Sequence, residues 1–170
     1  MSMHPILRLA VAASLLTCSS LGAQEPALRV EYERRAPVML TAQALRRLPS
    51  DTLISLVQKD STVVRFRAVR LLDVMTAGGA PLDSLRIGRT GWVIALLAND
   101  GYVALFSAAE LEPKIGLTRA FVAYARDGAA LTQREAPFHV IVPSDGHGTR
   151  NARMVTTLRI WDVLRARTAP

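Results

Sequence analysis

The chain has 170 residues, half of them hydrophobic, which is material for one domain of ordinary size with a sizeable core. Charged residues make up 21 %, arguing against a disordered tail protein, and aromatic residues only 5 %, leaving few platforms on which bases could stack and arguing against a nucleic-acid partner. The formal net charge of +7 comes almost wholly from arginines spread along the chain, a balance that suits a lipid surface or a small phosphate-bearing ligand.

Residues 1–23 read as a signal peptide. Arg8 gives a positive start, residues 9–16 form an apolar run too short to span a bilayer, and Leu21-Gly22-Ala23 offers small residues for cleavage. The expected mature protein is exported, in the periplasm, with no transmembrane span. Lipidation at Cys18 is the less favoured alternative, because Thr17 stands where lipoprotein signals carry Gly, Ala or Ser. Cys18 is the only cysteine, so cleavage after Ala23 leaves a chain without a thiol, and hence without a disulfide or a thiolate ligand.

The mature chain divides into an N-terminal extension or edge strand over 24–39 and a domain over 40–165. Thr41 looks like an N-cap for a short helix over 42–48, which Pro49 closes. Residues 52–57 alternate as a strand, Lys59-Asp60-Ser61 turns, and 63–66 form a second strand. Val69, Leu72 and Met75 then share one side of a helix over 69–75, stopped by Gly78-Gly79, with a loop over 81–90. Two apolar runs flank Asn99-Asp100-Gly101, a strong hairpin signal whose tight turn calls for positive φ at both central residues. Ser107 and Glu110 have capping-box spacing, so a short helix follows the second strand. After the break at 113–116, strands are expected over 120–125, 138–142 and 154–163, with Asp127-Gly128 a second turn. Short strands, hairpins and a few short helices indicate an α+β fold with mixed sheets. Few elements look like a βαβ unit and no glycine-rich loop follows a strand, which argues against a Rossmann-type cofactor site.

Three places could hold chemistry. The loop from Ser144 to Arg153 joins two glycines, His147, Arg150 and Arg153; the glycines let backbone approach a ligand, and the arginines offer planar charged forks to a phosphate. Taken alone, the same loop also reads as a solvated surface segment. At the first hairpin Asp100 could accept a hydrogen bond from a ligand and Tyr102 could donate one or stack, although turn chemistry alone accounts for both. Of the histidines, His139 in its apolar strand reads as a satisfied core residue and His147 as the better ligand candidate. Two histidines without carboxylate or thiol at ligand spacing make no zinc site, and there is no nucleophile elbow.

Four segments, in order, resemble the molybdopterin-binding domain of the sulfite oxidase family in its short exported bacterial form. They are Val64 through Met75; Asn99-Asp100-Gly101-Tyr102 with Ser107 and Glu110-Leu111; Ala123-Tyr124 with Asp127-Gly128 and Leu131; and Phe138 through Pro143 with Gly148, Arg150, Arg153 and Val155. The resemblance implies mixed sheets with a β-grasp-like portion and a site that holds a pterin and its phosphate. Carried over by position, Arg150 and Arg153 would contact the phosphate, with Asp100 and Tyr102 beside them. The implied cofactor is molybdopterin. The sequence departs from the family where a cysteine thiolate would bind molybdenum, since Cys18 lies in the signal, and no protein-ligated metal is expected. It also has no histidine between residues 24 and 138, and Ala68 stands where the family often has glycine. The expected function is an oxidoreductase-like domain binding a pterin or other small anionic ligand. The alternatives are a non-catalytic module that docks an envelope protein partner, and an oxidoreductase whose metal ligands come from the cofactor or from a partner's thiolate.

Overall fold

The computed structural model describes residues 25–57, 60–80 and 91–163. The signal segment with Cys18, the loop expected over 81–90 and Lys59 of the expected turn lie outside the described residues. Among the described residues the chain is α+β: β1 (Ala27–Tyr32), β2 (Val38–Thr41), α1 (Ala42–Leu45), β3 (Thr52–Val57), β4 (Val63–Arg70), α2 (Leu71–Ala77), β5 (Trp92–Ala98), β6 (Val103–Ser107), α3 (Ala108–Leu111), β7 (Phe121–Arg126), β8 (Ala129–Ala130), β9 (His139–Ile141) and β10 (Val155–Asp162).

The first sheet runs β2-β1-β10-β5-β6, and the second runs β3-β4-β7 with β8 and β9 both paired to β7. In the first sheet only β1 and β10 are parallel, in register Val30 to Leu158 and Tyr32 to Ile160. Within the stretch expected as an extension or edge strand over 24–39, β1 is hydrogen-bonded along both edges, to β2 and to β10, while Leu28, Val30 and Tyr32 alternate inward onto the core. Of its two partners, β2 is the edge of that sheet.

One face of each sheet contributes to the main core, with Leu28, Ile94, Leu96, Phe106, Leu158 and Ile160 from the first and Val122 and Val140 from the second, followed by Val142 just past β9. Leu45 of α1 and Leu71, Val74 and Met75 of α2 complete it. The opposite face of the second sheet carries a smaller cluster around Val64, Phe66, Phe121, Ala123 and Ile141. The sheets meet where Phe138 bridges Val155.

One boundary and one turn differ from expectation for physical reasons. The helix expected from Val69 begins at Leu71, because β4 continues through Val69 and Arg70 in register with β7. Long pairing with β7 outweighs the helical spacing of Val69, Leu72 and Met75. At the first hairpin only Gly101 has positive φ, with Gly101 N–H donating to Ala98 C=O at 3.1 Å, so the loop is a turn closed by a glycine bulge. At the second, Asp127 (φ 48°) and Gly128 (φ 81°) are both positive, and Arg126 pairs directly with Ala129, the tight two-residue hairpin.

Candidate binding cleft

The first hairpin's tip reaches across to the late loop, where the Tyr102 hydroxyl donates to the Thr149 carbonyl. The Asp100 carboxylate accepts from the Tyr102 amide at 3.0 Å and so shapes its own turn. Between this junction and the outer face of the second sheet lies a cleft of about 750 Å3. Phe66 and Leu56 contribute apolar wall, while Asp100, Tyr102, Thr149, Asn151 and Arg153 come from the hairpin and late loop. Arg126, Arg134, Glu135 and His139 complete it.

The structure thus brings together three of the five residues singled out from sequence: Asp100, Tyr102 and Arg153. His147 is exposed at the start of a 3-10 turn (Gly148–Arg150) and is not in the cleft lining. Arg150 is not in the lining either. Its fork is taken by Asp145, with Nε and Nη2 at 2.7 and 2.6 Å from the two carboxylate oxygens, while Nη1 donates to Glu110 at 2.8 Å. The guanidinium also stacks over Phe106, 4.7 Å from the ring centre. The hydrogen bonds it donates to Asp145 and then to Glu110 hold its charge more firmly than usual. Arg150 is therefore a clasp between the late loop and α3, with its donors directed at protein carboxylates.

His139 is buried, as its apolar strand predicts, but it is not satisfied. It is 4 % exposed, its ring meets Phe66 edge-on at 5.2 Å, and neither Nδ1 nor Nε2 has a hydrogen-bond partner. Burial, only partly offset by Glu135 and reinforced by Arg153 and Arg126, lowers its pKa to about 4. Its imidazole is neutral at pH 7, one nitrogen a donor and the other an acceptor, both unanswered.

Glu135 is 5 % exposed. Burial alone would raise its pKa, but the Thr132 hydroxyl and amide, then the charge of Arg126, hold it below the usual carboxylate range. The Arg126 Nη1 donates to it at 2.7 Å and the Thr132 hydroxyl at 2.7 Å. That leaves Arg134 and Arg153, both exposed, with no ion pair among the described residues. The cleft carries three arginines against two carboxylates, Glu135 and Asp100, and so attracts anions.

Sequence reasoning missed Arg126, Arg134 and Glu135. Thr132-x-x-Glu135 has the spacing of a local turn clasp and could have marked the loop, but nothing local shows that it faces Tyr102. Among the described residues no three His, Cys, Asp or Glu side chains are grouped to hold a metal ion. No helix among them is long and apolar enough to cross a membrane. The chain matches no protein-family model, and no curated protein shows significant similarity to it.

Proposed function

We propose that the protein is an exported binding domain, of the sulfite oxidase-like molybdopterin type, that holds a pterin phosphate or a close anionic relative in the cleft beside Tyr102. The carrying observation is a pair of arginines with no carboxylate partner among the described residues, Arg134 and Arg153, lining the same cleft as a buried imidazole with both nitrogens unanswered there. Guanidinium forks suit a phosphate, and a flat heteroaromatic ring suits a cleft with Phe66 on one wall and polar atoms on the others.

The donor set fits the organic part of molybdopterin better than its metal. Arg134 and Arg153 would hold the phosphate, and Asn151 and Thr149 offer polar contacts to the ring system. When it carries molybdenum, such a group supplies oxygen-atom transfer. Among the described residues there is no cysteine to offer that metal a thiolate; Cys18, the only one in the sequence, belongs to the segment read as a signal peptide. The role derived for this chain is therefore binding and orientation of an anion.

Purification of the native protein, with molybdenum analysis and mass spectrometry of any released pterin, tests the reading. Stoichiometric pterin is expected, and Arg134→Gln with Arg153→Gln should lower its retention at least tenfold. Absence of pterin, or retention indifferent to both substitutions, overturns it. The second reading, an envelope interaction module, draws on the outer face of the first sheet, where Met39, Val103 and Leu105 are each about half exposed (54, 49 and 56 %).

A further inference from the structure

A second, smaller cavity of about 320 Å3 opens between the start of α2 and the segment after α3. Leu72, Leu111 and Ala120 give it apolar walls, and Leu117 also lines it while remaining 92 % exposed. Arg70 and Arg119 stand at the same cavity. Their backbone amides are taken, donating to the Ser50 and Ser144 hydroxyls at 2.8 and 3.4 Å. Their guanidinium groups make no ion pair among the described residues, and both side chains are exposed.

A bare inorganic anion would answer the arginines and leave the exposed Leu117 and the partly buried Leu72 wet, Leu111 being already only 4 % exposed. A neutral apolar molecule would do the reverse. Only a molecule with a short apolar chain and an anionic end satisfies both halves. We propose that this cavity binds a single-chain alkyl carboxylate, its tail against Leu72, Leu111 and Leu117 and its carboxylate between Arg70 and Arg119. The volume is near the lower bound of small-molecule pockets, roughly 300 Å3, so the tail is a short one. None of these residues lines the cleft beside Tyr102, and the site stands independently of what that cleft holds.

Isothermal titration of the full chain with hexanoate, octanoate, decanoate and dodecanoate, each below its micellar concentration, tests the proposal. Each added methylene should raise affinity about fourfold until the cavity is full, after which the gain stops. Decanoate should bind at least tenfold more tightly than 1-decanol. Arg70→Gln with Arg119→Gln should remove that preference and leave decanol binding unchanged, and Leu117→Ser should weaken both ligands. Absence of binding, affinity independent of chain length, or equal affinity for decanoate and decanol overturns the proposal. Unchanged circular dichroism of the variants separates loss of the site from loss of the fold.

Discussion

His139 concentrates the tension of the cleft in one side chain. A hydrogen bond to either ring nitrogen would stabilise the fold, and leaving buried polar atoms unanswered costs about 1 to 3 kcal/mol. Its pKa of about 4 makes the cost pH-dependent. The folded chain keeps the imidazole neutral, while the unfolded chain takes up a proton below the ordinary value of 6.5. Stability is therefore complete above pH 6.5 and declines as pH falls from there toward 4, by about 2 kcal/mol at pH 5 and about 3 kcal/mol in all. Urea unfolding at pH 7.5 and pH 5 reads this directly. In His139→Leu the decline between those two values should vanish, and a wild-type slope in that variant would assign the decline to another group. Glu135 acts in a separate, more acidic window: its depressed pKa lends stability that is present above 4.5 and is lost as pH falls below it. The sequence predicts the burial of His139 from its apolar neighbours. Its lowered pKa depends on burial and on the charges of Arg153 and Arg126, and its ring packs on Phe66, residues that come from three other segments.

At the scale of elements, α3 shows how four residues can be held as a helix. So short a helix has no stability of its own. Ser107 and Glu110 form a full capping box, with the Ser107 amide donating to Glu110 Oε1 at 2.8 Å. The other carboxylate oxygen accepts from Arg150 and from the Thr118 hydroxyl at 2.8 and 3.2 Å, so one side chain closes the helix start, the late loop and the following segment. Gly116 completes the closure. Its amide donates to Glu112 C=O at 2.8 Å, and a Cβ there would overlap the backbone of Glu110. Ser107→Ala should cost about 1 kcal/mol, as for an ordinary cap. Gly116→Ala should cost about 3 kcal/mol, because backbone cannot move aside as a side chain can. Chemical denaturation of the two variants gives the order, and a larger loss at Ser107 would contradict this account. The cap is legible from sequence because its partners are three residues apart. Gly116 reads there only as part of a break, since its neighbour Glu110 is reached through the turn.

For the whole molecule, the decisive contact joins the sheets. Phe138 is 1 % exposed, bridges Val155 of β10, and precedes β9, which pairs with β7. The Val155 amide donates to the Phe138 carbonyl at 2.8 Å, and the Val140 amide to the Ala152 carbonyl at 2.7 Å. Phe138→Ala removes a fully buried ring at this corner and should cost about 3 to 5 kcal/mol. Far-ultraviolet and tryptophan signals should still lose structure together in denaturant. Separation of the two transitions would show that the sheets unfold independently. The α+β class, both Asp-Gly hairpins, the Thr41 cap, the capping box and most strands were determined by the sequence alone, because each rests on residues within a few positions of one another. The tertiary structure alone decided that β1 lies inside a sheet, that Arg150 is a clasp, and that Arg126, Arg134, Glu135 and His139 share a cleft with Tyr102. Those outcomes depend on which strands pair and which charges meet across the fold, and long-range pairing leaves no periodic trace in the segments it joins.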